Sequence, residues 1–278
     1  MLSGADLPFS DRPFRLAMGL KPLAEGDWLQ VDERYADELD EKDRLHRTNH
    51  ADVFAALAVA RDACEELRAL VVDELRQFHG VTPRSWPDRI HPIEAAGRSV
   101  QEDLCVMLGD PLVLAAASVC FPSRWRMTTK IGLPTAQIHG PVPFYDSHLR
   151  DSVDTVLARL RTDRPVWRSN WSVYDDPALF QPDGGGRSEP NGALTAANAG
   201  ERLWVRVERQ TLRRLPATGA VVFTIRIHQH RLDSLVAERE ALGRLAGALR
   251  LMPAAMATYK SLPAFQRPLL EWIDAVLA

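Results

Sequence analysis

Apolar residues recur at steps of three and four from position 53: Val53, Leu57, Ala60, Cys64, Leu67, Val71, Leu75 and Phe78. That spacing places them on one stripe of a helix. Asn49 stands where an N-cap is wanted and Gly80 where a helix ends, so one long amphipathic helix is predicted. A second, shorter helix is predicted from Ser99, with Glu102 completing a capping box, through Leu104 and Leu108 to Gly109. The period then shifts. Residues 112–121 (LVLAAASVCF) form a compact apolar run stopped by Pro122, and residues 125–131 alternate as a second strand. A helical spacing returns at Leu149, Val153, Val156, Leu157 and Leu160. Residues 166–174, 203–215 and 220–230 read as three further strands, the last two a hairpin around the turn 216–219 with Gly219 supplying the awkward backbone angle. Residues 1–45 are irregular, and the chain from Asp233 is helical with breaks at Pro253, Pro263 and Pro268. Between Asp175 and Gly200 lies a loop-like stretch longer than ordinary connections, the length of a lid, a mobile insertion or a partner contact.

This order predicts an α+β fold with one antiparallel sheet and helices on one face. Two strands, a helical connection and three strands is also the order of a PAS-type sheet. The expectation is therefore a PAS-like antiparallel five-stranded sheet with N-terminal and C-terminal helical additions. It forms a single domain over residues 1–278: mostly helical to 110, sheet core from 111 to 230, C-terminal helices from 231.

Composition narrows the class. The chain has 278 residues, 46% hydrophobic and 26% charged, enough for a sizeable core, and its net charge of -3 gives no basic footprint for nucleic acid. No signal-like apolar stretch opens the sequence and no run approaches a membrane span. Cys64, Cys105 and Cys120 are odd in number and set in apolar runs, as reduced buried thiols are. A cytoplasmic protein, with neither membrane nor nucleic acid as partner, is expected.

The sequence carries no glycine-rich phosphate loop, CxxC, HExxH or GxSxG. His228 and His230 share one side of a strand, and two histidines alone make a weak metal case. The densest chemistry lies in residues 130–145, KIGLPTAQIHGPVPFY. There His139 sits between Ile138 and a rigid Gly140-Pro141-Val142-Pro143 turn, a fixed imidazole beside apolar walls as a haem axial ligand requires. A core histidine bonded to a backbone carbonyl fits the same residues. Lys130, Arg168 and Arg209 have the charge to hold haem propionates, and each also fits as a surface charge. Trp125, Trp171 and Phe223 suit an ordinary core or the wall of a flat cofactor pocket. Glu208 suits a carboxylate facing a cationic amine, or a partner of Arg206 or Arg209. Cys120 is the rival axial ligand, although its apolar setting favours an inert thiol.

Five colinear blocks carry a resemblance: FRLAMGLKPL (14–23), QEDLCVML (101–108), CFPSRWRMTTKIGLPTAQIHGPVPFY (120–145), RSNWSVYD (168–175) and ERQTLRRLPATGAVVFTIR (208–226). In these the chain resembles the bacterial haem-dependent oxidative N-demethylase family, alpha-subunit-like. The resemblance implies a PAS-like domain binding haem b and acting as an oxidoreductase of monooxygenase type. A small methylated amine such as dimethylamine and oxygen would be its substrates, with formaldehyde released. Electrons would come from NADPH through flavin and iron–sulfur carriers on a separate subunit. It also implies His139 as the iron ligand, with Lys130, Arg168, Arg209 and Trp171 around the haem and Glu208 at the substrate. The alternative is a non-catalytic haem or small-ligand sensor of PAS type.

Overall fold

A long antiparallel hairpin, Trp204–Arg214 paired with Val221–Arg231, organises the fold in the computed structural model, which describes residues 7–278. Seven strands form one sheet among the described residues: β1 Lys21–Pro22, β2 Phe54–Ala56, β3 Asp103–Leu108, β4 Val113–Ser118, β5 Val166–Tyr174, β6 Trp204–Arg214 and β7 Val221–Arg231. Their order is β1-β5-β6-β7-β3-β4-β2 and every pairing is antiparallel. The sheet thus has two strands more than the five expected. Three strands, β1, β2 and β3, stand where none was expected, and the one expected at 125–131 is absent; β1 and β2 are short and lie at the edges, where two or three residues carry no readable alternation. The hairpin turn follows the sequence expectation, with Gly219 at φ +70°.

Side chains alternate across a strand, so the register divides the sheet into two faces. The first carries Arg168 and Asn170 of β5, paired with Gln210 and Glu208 of β6, then Ile225 and Ile227 of β7. The second carries Trp171, Val207 and Arg209.

Helices cover both faces rather than one. Over the second face lie α1 Tyr35–Thr48, α2 His50–Val53, α3 Arg61–His79 and α4 Pro92–Gly97, with Leu67, Val71 and Ile93 packed on Leu104, Val106 and Val222. The chain then crosses to the first face, where α5 Thr135–His139, α6 Tyr145–His148 and α7 Arg150–Arg159 follow a single 3-10 turn at Met127–Thr129. There Met127, Leu157 and Leu160 pack on Cys105, Ala117 and Val221. After the short α8 Ala199–Arg202, the C-terminal α9 Arg239–Arg250, α10 Ala254–Tyr259 and α11 Gln266–Leu277 return to the second face against Val173, Val205 and Val207. No helix among the described residues is long and apolar enough to cross a membrane.

Three predicted elements differ. The long helix from Asn49 is interrupted by β2, which pairs with the alanines of β4 before α3 begins. Gly80 does end α3, at φ +65°. The predicted helix at 99–109 is strand β3, because Gln101 and Glu102 accept hydrogen bonds from the backbone N–H of Asp32 (3.1 Å) and Gln30 (2.9 Å) instead of capping a helix. Residues 125–131 form no strand; the 3-10 turn takes their place. The stretch after Asp175 is irregular yet anchored. Asp175 accepts hydrogen bonds from Arg124 (2.8 Å), Asn191 (3.1 Å) and Arg187, and the Asn191 N–H donates to Ala264 O (2.8 Å).

Candidate functional site

Pro134 enters α5 in an extended conformation and the five residues Thr135–His139 make little more than one turn. That single turn brings His139 Nδ1 to 2.9 Å from the Thr135 carbonyl. A carbonyl only accepts, so Nδ1 carries the proton and Nε2 holds a free lone pair. The ring lies nearly parallel to Tyr145, centroids 4.9 Å apart at 14°. Tyr145 is buried, its hydroxyl has no partner among the described residues, and burial pushes its pKa up to about 12. Burial lowers the His139 pKa, the Thr135 bond opposes this, and the charges of Lys130 and Arg168 push further down. The imidazole is therefore neutral, the form in which it ligates a metal. Lys130 Nζ donates to Ile138 O at 2.8 Å, fixing the backbone beside His139.

Facing α5 is the first face of the sheet. Asn170 lies directly across from Glu208, and Arg168 across from Gln210. Gln210 Nε2 donates to Glu208 Oε2 at 2.8 Å, and Glu208 makes no direct ion pair among the described residues. Arg168 is half-buried, and its Nε is buried with no hydrogen-bond partner. Burial draws the Arg168 pKa down while Glu208 opposes it. Partly buried Trp125, Ile131, Ile138, Leu212 and Phe223 supply apolar walls.

Lys260, which the sequence did not single out, approaches the same carboxylate from the end of α10. Its Nζ donates to Trp171 O (2.6 Å), Ser172 Oγ (3.3 Å) and Asn170 Oδ1 (3.4 Å) along the edge of β5 that β1 leaves open. Burial lowers its pKa to about 8, with the Glu208 charge holding it up. Tyr259 beside it is 42% exposed. Neither residue stood in a patterned segment, so no sequence signal marked them.

The structure brings His139, Lys130, Arg168 and Glu208 to one side of the sheet. Trp171 and Arg209 are on the other. Trp171 stacks edge-on against Phe9 at 5.2 Å, and Arg209 is spent on Asp27 Oδ2 (2.9 Å) and the carbonyls of Asp27 and Trp28. Neither is placed to touch a group bound at His139. Cys120 is fully buried among Leu45, Val53 and Phe121, and burial raises its thiol far above the ordinary range, so it does not offer a thiolate. His228 is engaged with Gln30 at 2.8 Å on the second face.

A free imidazole Nε2, a buried guanidinium nitrogen without a partner and apolar walls are the donor set that haem requires, so these residues fit it. A protein-family model described as haem-dependent oxidative N-demethylase, alpha subunit-like, matches residues 19–270.

Proposed function

The chain belongs to the haem-dependent oxidative N-demethylase, alpha subunit-like family, and from that premise we propose that it removes N-methyl groups from small methylated amines in the cytoplasm. Haem b, once bound, supplies the redox centre at which oxygen is activated. His139 Nε2 holds the iron, and the Thr135 carbonyl keeps that ring in one tautomer and orientation. Arg168 and Lys130 would hold the propionates, Arg168 by way of the guanidinium whose buried Nε lacks a partner. Glu208 holds the substrate ammonium, its second oxygen already occupied by Gln210. Dimethylamine is the simplest such substrate, one methyl group leaving as formaldehyde and methylamine remaining, with oxygen as the oxidant. The reducing equivalents come from a separate subunit carrying flavin and iron–sulfur groups. We read the five long strands, two before the helical connection and three after, as a PAS-like sheet extended at both edges.

The observation that carries this reading is the His139 lone pair, free and oriented opposite the Arg168 and Glu208 face. Formaldehyde release from dimethylamine, with NADPH and the reductase subunit supplied, tests it. Turnover is expected in the wild type. Glu208→Gln should raise KM for the amine by at least about tenfold, since a charge-assisted bond is lost, with haem content unchanged. An unchanged KM would remove Glu208 from the substrate site.

A further inference from the structure

Over the opposite face of the sheet, the end of α1, the start of α2 and α4 bring together His46, His50 and Glu94. One donor atom from each lies within 4.8 Å of the others. His50 Nε2 is 3.0 Å from Glu94 Oε2, and His46 Nδ1 is 3.6 Å from Glu94 Oε1. The last distance exceeds a hydrogen bond. His46 is only 4% exposed and its Nε2 is engaged with Ser118 Oγ at 3.1 Å. Its Nδ1 is buried, points toward the carboxylate and has no hydrogen-bond partner. A buried polar atom in that state is costly unless something satisfies it.

We propose that His46, His50 and Glu94 form a binding site for a divalent first-row metal ion, zinc being the simplest case. Two neutral imidazoles and one carboxylate are an established donor set for such ions, with a further position left to solvent. His50 is half-exposed, so an ion has a route in and His50 can rotate to take up its place. With His46 Nε2 donating to Ser118 Oγ, Nδ1 offers its lone pair. His50 ligates through Nε2 once its proton resides on Nδ1. Glu94 is itself held from behind: Arg98 Nη1 donates to Oε1 at 3.0 Å while Arg98 Nε donates to Asp43 at 2.7 Å. Such outer partners orient the ligands of metal sites. The ion would clip α4 to the point where Asn49 breaks the chain between α1 and α2, a site separate from the haem face and independent of its chemistry.

Equilibrium dialysis of the haem-loaded full chain against zinc chloride, with metal content measured by mass spectrometry, tests this. One zinc per chain is expected, with a rise in melting temperature on zinc addition. His50→Ala changes a half-exposed side chain and should fold; it should lower zinc affinity by at least about tenfold and abolish the thermal shift, leaving the haem spectrum as in the wild type. Glu94→Gln serves as the second variant with the same expectation. Failure of the wild type to take up a stoichiometric ion overturns the proposal, as does unchanged affinity in His50→Ala.

Discussion

Glu66, on α3, closes the β6–β7 turn by accepting hydrogen bonds from Ala217 N (2.7 Å), Thr218 N (2.8 Å) and Thr218 Oγ1 (2.6 Å). Burial pushes its pKa up, but these bonds outweigh burial and leave it below the ordinary value of 4.5. A carboxylate with a lowered folded pKa adds stability that is present above its unfolded pKa and lost as pH falls through the folded one. Urea unfolding of the wild type and Glu66→Gln should therefore differ most at neutral pH and converge below about pH 4.5. A gap that persisted in acid would mean that the bonds do not depend on the charge. At the same scale, His139 and Glu208 stand out in the sequence because their neighbours are distinctive, and the structure sets both on the same side of the sheet. Trp171 and Arg209 lie on the face away from His139 for a reason the sequence itself held. Residues 168 and 171 differ by an odd number, as do 208 and 209, so on strands each pair points to opposite faces. Lys260 was not legible, because a lysine at a helix end acquires its role only when α10 is set against the open edge of β5.

Elements were legible where one period dominated and both ends were marked. β5, β6, β7, α7 and the Gly80 stop fall where pattern and punctuation agreed. β3 failed because it is buried on nearly every side, which removes the alternation that separates a strand from a buried helix. β2 failed because it lies between Val53 and Leu57 of the helical spacing, and only its pairing with β4 decides for a strand. The end of β4 matters for a second reason, since α4 approaches closely there. A Cβ on Gly97 would lie 2.7 Å from Ser118 Cβ and still nearer its hydroxyl. Gly97→Ala must push α4 from the strand, at a cost of about 1–3 kcal/mol, read as a lower urea midpoint. An unchanged midpoint would show that α4 can shift freely.

Across the whole molecule, the two faces of the sheet are covered differently. The second face is closed by long amphipathic helices with fully buried leucines, such as Leu67, Leu245 and Leu269. The first is covered by short helices and turns that leave Trp125, Ile138 and Phe223 partly open around His139 and Arg168. Arg206, fully buried, holds that covering together by donating to the carbonyls of Phe121 (2.6 Å) and Leu179 (3.1 Å). The single antiparallel sheet could be anticipated; the number of strands and the division of helices between faces depend on contacts far apart in sequence. The account rests on His139 as the iron ligand, and the absorption spectrum of protein produced with a haem precursor tests it most directly. The wild type should show a strong haem band whose reduced carbon monoxide form is that of histidine ligation, and His139→Ala should lose stoichiometric haem while remaining folded. A thiolate-type spectrum, or a His139→Ala variant that keeps the wild-type spectrum, would contradict it.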